Sequence, residues 1–111
     1  MELSCDCGNI EISVTKPDQV TVCNCAICSR YQSLWGYYSP GEVKVRMGGM
    51  GVDAYRRGDR EIEFVRCANC GCVTHYRTLP GDDDPLMAVN FRMAHEELEN
   101  VSVRYNNGKD A

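Results

Sequence analysis

No cluster of lysine or arginine occurs anywhere in the 111 residues. With 12 basic against 16 acidic side chains, the formal net charge is -4. A surface built to neutralise phosphates is missing, which argues against nucleic acid as a partner. No apolar run approaches the length of a membrane span, so no membrane association is expected. The first residues, Met1-Glu2-Leu3-Ser4-Cys5, have neither a basic start nor an apolar stretch and do not read as a signal peptide. No repeat or linker divides the chain, and its length suits one domain over residues 1–111. Gly48-Gly49-Met50-Gly51 is followed by no lysine and no helical pattern, so it is not a phosphate loop.

What the chain does have is eight cysteines. In a secreted protein that number suggests four disulfides, and inside a cell it suggests metal. The spacings favour metal and a reducing, cytoplasmic compartment. Cys23-Asn24-Cys25-Ala26-Ile27-Cys28 packs three thiols into one short segment, too close for all to bridge one another. Three thiolates converging on one ion would leave the fourth tetrahedral position open, the mark of a catalytic rather than a structural zinc. Cys67-Ala68-Asn69-Cys70-Gly71-Cys72 contains the C-x-x-C-G form of a zinc knuckle, and Cys5-Asp6-Cys7-Gly8 has the same logic with a tighter bite. The glycine lets the backbone turn back so that amides point at sulfur.

Hydrophobic alternation reads as many short strands and a mostly β fold. Residues 9–14 place Ile10, Ile12 and Val14 on one face, and residues 19–23 form a second strand of the same kind. The two look like a hairpin turning at Lys16-Pro17-Asp18. A helical turn is expected at 29–33 and an aromatic strand at 34–38. Residues 42–47 should be a strand with Val43, Val45 and Met47 inward, and 53–57 an extended piece. Gly58-Asp59 signals a turn before a strand at 61–67. Further strands are expected at 73–77, at 86–91 in a central place, and at 101–105. Residues 79–85 form a loop and 94–99 a helical turn, with a polar tail after 105.

Ligand arithmetic narrows the metal sites. Cys5, Cys7, Cys67 and Cys70 make a natural four-thiolate set, which leaves Cys23, Cys25 and Cys28 for a second ion and Cys72 spare. The rival is a ribbon of Cys25, Cys28, Cys67 and Cys70, which strands Cys5, Cys7 and Cys23. Spacing alone prefers the first only weakly.

Taken together, Cys5-x-Cys7-Gly8, then Cys23-x-Cys25-x-x-Cys28-Ser29-Arg30, then Cys67-x-x-Cys70-Gly71 resemble the glutathione-dependent formaldehyde-activating enzyme family, which shares its domain with centromere protein V. Gly48-Gly49, Tyr55, residues 73–77 and Ala88-Val89-Asn90 stand in the family's order, and the likeness runs from about Ser4 to Tyr105. The resemblance implies an Mss4-like fold of several small curled antiparallel β-sheets around zinc. It implies a structural zinc on Cys5, Cys7, Cys67 and Cys70, and a second zinc on Cys23, Cys25 and Cys28. It also implies carbon-sulfur lyase chemistry, in which glutathione and formaldehyde combine to S-hydroxymethylglutathione.

A zinc held by three thiolates is a weak Lewis acid and suits an incoming thiol bound as thiolate. Expected function is therefore a zinc-dependent lyase-like protein acting on a thiol such as glutathione or on its adduct. The alternative is a non-catalytic, zinc-stabilised β domain that binds a protein partner, with the second site closed by Cys72 or a histidine. Cys72 departs from the family, which commonly has another small residue there. Arg30 is a candidate for gripping a substrate carboxylate, against an exposed salt bridge. His75 reads as a packed core residue and His95 as surface. Tyr31, Trp35, Tyr37 and Tyr38 are either pocket walls or core.

Overall fold

The computed structural model describes residues 1–56, 62–94 and 98–110. Among the described residues, ten strands and one helix follow in order: β1 (Glu2–Ser4), β2 (Ile10–Ser13), β3 (Gln19–Cys23), α1 (Ala26–Tyr31), β4 (Trp35–Tyr38), β5 (Lys44–Met47), β6 (Val52–Arg56), β7 (Ile62–Cys67), β8 (Val73–Thr78), β9 (Met87–Asn90) and β10 (Ser102–Asn106). Short 3-10 turns occupy Pro40–Glu42, Phe91–Ala94 and Gly108–Asp110. The expected Gly58-Asp59 turn, the ends of the pieces at 57 and 61, and His95 with the middle (95–97) of the 94–99 turn lie outside the described residues.

The strands form a three-stranded sheet, β1-β2-β5, and a seven-stranded sheet, β10-β3-β4-β9-β8-β7-β6. The mostly β expectation holds, and β9 is central between β4 and β8. The expected hairpin of residues 9–14 and 19–23 does not form. β2 pairs with β1 and β5, whereas β3 lies in the other sheet beside β10 and β4. Alternation makes both segments strands, but neither it nor the turn at Pro17 says which neighbour supplies the hydrogen bonds. β3 and β10 run parallel over five paired positions, from Ser102↔Gln19 to Asn106↔Cys23. Thr21↔Trp35 alone joins β3 to β4, so the chain is free to leave the sheet at Cys23 and return at Trp35.

Adjacent strand residues face opposite sides, and this sheet separates two cores accordingly. Val89 and Leu34 belong to a cluster with Leu3, Ile10, Ile12 and Phe91, against which the small sheet packs. Their neighbours Ala88 and Trp35 belong to a second cluster with Cys25, Ile27, Cys28 and Phe64. α1 and the cysteine triplet thus cover the side of the sheet opposite the small sheet. Met47 is 52% exposed, not inward as expected, and Val43 and Val45 are only partly buried. β5 is an edge strand whose outer half has no layer over it.

His75 pairs across the sheet with Val65 and Val89, on the face away from the triplet. It is 2% exposed, with Nδ1 2.9 Å from Thr74 Oγ1, and burial pushes its pKa down to about 4. It is a packed core residue and stays neutral at ordinary pH.

Asn90 ties the centre together. Its Oδ1 accepts from the amides of Leu34 and Arg92, each at 3.1 Å, and its Nδ2 donates to the Val73 carbonyl at 2.8 Å. Asn90→Ala leaves these buried backbone groups unpaired. A loss of about 2–4 kcal/mol of stability is expected by chemical denaturation; a loss below about 1 kcal/mol would show that water replaces the carboxamide.

Candidate metal centre

Two turns, each closed by a first cysteine amide bonded to the carbonyl five residues on, bring four thiols together. In the first, between β1 and β2, the Cys5 amide donates to the Ile10 carbonyl and the Gly8 amide to the Cys5 carbonyl, both at 3.1 Å. In the second, between β7 and β8, the Cys67 amide donates to the Cys72 carbonyl and the Gly71 amide to the Cys67 carbonyl, both at 3.0 Å. Gly8 and Gly71 each have φ +81°, a left-handed conformation that side chains other than glycine's adopt only with strain. Each turn offers two sulfurs, and the two turns meet. The thiol sulfurs of Cys5, Cys7, Cys67 and Cys70 all lie within 4.8 Å of one another. Cys5 Sγ and Cys7 Sγ are 3.8 Å apart, and Cys7 Sγ and Cys67 Sγ 3.6 Å. Four thiolates around a tetrahedral zinc, with Zn–S of about 2.3 Å, stand about 3.8 Å from each other.

Amides are aimed at the sulfurs. The Ile10 amide lies 3.3 Å from Cys5 Sγ, and the Asn69 and Cys70 amides lie 3.4 Å from Cys67 Sγ. The amides of Cys72 and Cys7 pull the Cys70 thiol down to about 6, while burial pushes Cys5 up to about 11 against the Ile10 amide. Such a nest is built for several negative sulfurs, yet close thiolates repel and two of the four residues, Cys5 and Cys67, are buried. A cation in their midst removes both costs, so the donor set fits a soft divalent metal.

Asn9, which sequence reasoning passed over, fastens this group. Its Nδ2 donates to the Gly51 carbonyl at 2.9 Å and lies 3.5 Å from Cys67 Sγ, while its Oδ1 accepts from the Met50 amide at 3.2 Å. The only signal was its position directly after the Cys5-Asp6-Cys7-Gly8 turn. Cys72 belongs beside this cluster too. Burial raises its pKa against the Asp6 amide, and its thiol interacts with Cys70, so it is drawn to the four-cysteine group rather than to the triplet.

The triplet sits where the chain leaves the large sheet between β3 and β4. Cys23 ends β3, Cys25 caps α1 and Cys28 lies within it. Their sulfurs also lie within 4.8 Å of one another. The Cys28 amide donates to Cys25 Sγ at 3.4 Å, Trp35 Nε1 to Cys28 Sγ at 3.4 Å, and Asn106 Nδ2 to Cys23 Sγ at 3.6 Å. Burial raises Cys25, but the Cys28 amide and thiol outweigh it and its pKa falls; Cys28, more deeply buried, is pushed up to about 12. Here again a cation would relieve the conflict between negative sulfurs and burial. α1 begins at Ala26 rather than at 29 as expected, because Cys25 supplies the cap.

A pocket of about 250 Å³ opens on the triplet, lined by Cys23, Cys25 and Cys28 together with Trp35, Tyr37 and Tyr76 among others. Its wall is a row of cross-strand partners: Tyr37 opposite Ala88, Ala88 opposite Tyr76, Tyr76 opposite Phe64. The small Ala88 leaves the gap between larger rings. Trp35 stands edge-on to Tyr76 with centroids 4.8 Å apart, and Phe64 lies 5.3 Å from Tyr76. Sequence reasoning named Trp35 and Tyr37 as possible walls but missed Phe64 and Tyr76; Ile62 and Phe64 alternate by two, but a register shift at Val65/Arg66 puts Val73 rather than Thr74 with Tyr76. Tyr38 points to the other face, its hydroxyl donating to the Thr15 carbonyl at 2.6 Å.

Arg30 and Tyr31 lie outside this pocket. Both line an adjacent cleft with Ala26, Ile27 and Tyr55, and Arg30 Nη1 donates to the Ala26 carbonyl at 2.7 Å. Ile27 lines both spaces.

Two comparisons with known proteins bear on the chain. The model of a family described as glutathione-dependent formaldehyde-activating enzyme matches residues 1–104. The fold is similar to the crystal structure of a Rhodobacter sphaeroides protein from structural genomics, with a TM-score of 0.72 and 23% sequence identity over 93% of this chain and 99% of that one. At that identity the likeness shows the fold alone. No curated protein matches the sequence.

Purified without chelators, the chain is expected to hold two ions, each lost separately. Cys7→Ser should release one ion and lower stability by roughly 3 kcal/mol or more, about 15 °C in Tm, since it frees the small sheet's turn from the large sheet. Cys25→Ser should release the other ion with a much smaller shift. Metal analysis and thermal unfolding of both variants check this; equal shifts would show that the two clusters share one structural job.

Proposed function

The chain belongs to the glutathione-dependent formaldehyde-activating enzyme family, and from that premise we propose that it is a zinc-dependent carbon-sulfur lyase-like protein. Its substrate is a small-molecule thiol such as glutathione, or a thiol adduct of the S-hydroxymethyl kind. Cys5, Cys7, Cys67 and Cys70 hold a structural zinc, and Cys23, Cys25 and Cys28 hold a second. The observation that carries this proposal is three converging thiols at the floor of a pocket, with the spare Cys72 engaged at the other cluster.

The second zinc, when bound, supplies a positive centre that keeps an incoming sulfur as thiolate. The protein's own groups do the rest. Trp35 Nε1, the Cys28 amide and Asn106 Nδ2 each donate to one of the three sulfurs, spreading their charge and fixing their direction. Aromatic rings on Trp35, Phe64 and Tyr76 shield the floor from water. Tyr37, 40% exposed, stands at the mouth, where its hydroxyl can pass a proton to the aldehyde oxygen. Burial holds its pKa above the ordinary value, so it stays protonated at neutral pH.

In the synthetic direction, the thiol sulfur forms a bond to the carbonyl carbon of formaldehyde. The carbonyl π electrons move to oxygen, which takes the Tyr37 hydroxyl proton, and the proton the thiol gives up returns to Tyr37 through solvent. The reverse breaks the same carbon-sulfur bond and returns thiol and aldehyde. Ile27 lines both the pocket and the adjacent cleft, and Arg30 in that cleft is the group assigned to a substrate carboxylate.

The chain has one tryptophan, Trp35, and it donates to Cys28, so its emission reports on this site. In cobalt-loaded protein, adding thiol should change both the Trp35 emission and the sulfur-to-cobalt absorption. Spectra that stay flat up to millimolar thiol would refute an open coordination position. Arg30→Ala should raise the glutathione concentration needed for half the change by roughly 5- to 10-fold, the loss of one charged hydrogen bond. The same variant should leave the response to an uncharged small thiol such as 2-mercaptoethanol unaltered; an equal effect on both would remove Arg30 from substrate binding.

A further inference from the structure

Residues 106–110 read from sequence as a polar tail, but they are folded against the triplet. The Asn24 amide donates to the Asn106 carbonyl at 3.1 Å, and Asn24 Nδ2 donates to Asn107 Oδ1 at 2.8 Å. The Lys109 amide donates back to Asn24 Oδ1 at 2.9 Å. Asn24 lies between Cys23 and Cys25, so these bonds hold both sulfur-bearing residues from one side. Asn107 Nδ2 donates to Asp110 Oδ2 at 2.9 Å and closes the 3-10 turn.

Two further observations place the segment at the sulfurs themselves. Asn106 Nδ2 donates to Cys23 Sγ at 3.6 Å. Gly108 comes so close that a Cβ there would stand 2.7 Å from Cys23 Sγ and 3.2 Å from Cys25 Cβ. Both Asn106 and Gly108 line the pocket. The family match covers residues 1–104, and Asn106 and Gly108 lie beyond it.

We propose that residues 106–110 are a positioning and specificity element of the triplet site: Asn106 orients and polarises Cys23, and the Gly108 turn sets the width of the mouth through which a thiol enters. The inference rests on the proposal that the triplet is an open metal site. The physical need is clear. Cys23 ends a strand whose β4 side has a single paired position and whose other side is held only by β10, and Cys25 sits outside the sheet, so without β10 and the turn after it the sheet does not fix their sulfurs. Parallel pairing of β10 with β3 carries Asn106 to the level of Cys23, and the turn beyond it supplies the remaining constraint. A hydrogen bond to a ligating sulfur lowers its donor strength, and its loss shows in the spectrum of the bound metal.

The test uses the full chain loaded with cobalt, as Asn106→Ala, Asn24→Ala and a form lacking residues 107–111, each beside the unaltered protein. Expected are an affinity about 10-fold weaker at the triplet, with the four-cysteine site unchanged. For Asn106→Ala the sulfur-to-cobalt absorption should move to lower energy, and Asn106→Gln should restore part of that shift. Loss of residues 107–111 should let bulkier thiols elicit the spectral response. Unchanged triplet affinity and thiol response in all three forms would overturn the inference while leaving the open site intact. Equal weakening at both metal sites would also overturn it, because the segment would then serve only general stability. If the unaltered chain itself binds only one cobalt ion, the open-site proposal fails first, and this inference fails with it.

Discussion

Convergence of Cys5 and Cys7 with Cys67 and Cys70 is the constraint on which the architecture depends. The first pair sits in the turn of the small sheet and the second in a turn of the large one, some 60 positions apart in the chain. A small domain with many short strands has little core per residue. An ion held by the four sulfurs would join the two turns and add to the core that Leu3, Ile10 and Ile12 share with Leu34, Val89 and Phe91. Asn9 and the corner at Gly48 and Met50 complete the junction, so that β1, β2, β5 and β6 are all drawn to one point.

With that junction holding one face, the other face of the large sheet is free for chemistry. Trp35, Ala88, Phe64 and Tyr76 turn toward it, while their strand neighbours Val89, Val65 and His75 turn toward the small sheet. The division follows from the two-residue period of a strand. It gives a site whose floor is sulfur and whose wall is aromatic, and keeps the one described histidine out of it. Tyr76 carries a strongly raised pKa through burial, as expected for a ring packed into that wall.

Cys72 shows how similar residues acquire different work by position alone. It lies two residues beyond Cys70, just past the left-handed Gly71, and so comes back toward the turn's own start, where the Cys67 amide meets its carbonyl. The triplet is reached from the other side of the sheet. A thiol that chemistry would permit in either cluster is committed to one by the direction of a single turn.

The sequence by itself determined most of the strands, because alternation and turn residues are local, and it determined the three thiol-rich segments, because cysteine spacing is local too. It also allowed the grouping of Cys5, Cys7, Cys67 and Cys70 as one of two pairings. Partners of each strand were not legible: residues 9–14 and 19–23 alternate as a hairpin would, yet hydrogen-bond to different sheets. β1 went unnoticed because three residues are too few for a period to show. Phe64 and Tyr76 join Trp35 and Tyr37 only through cross-strand register. Residues 106–110 reach Cys23 only because β10 runs parallel to β3, a pairing between segments more than 80 positions apart. Tertiary structure decided those matters, since they depend on which backbones share hydrogen bonds rather than on what any one segment prefers.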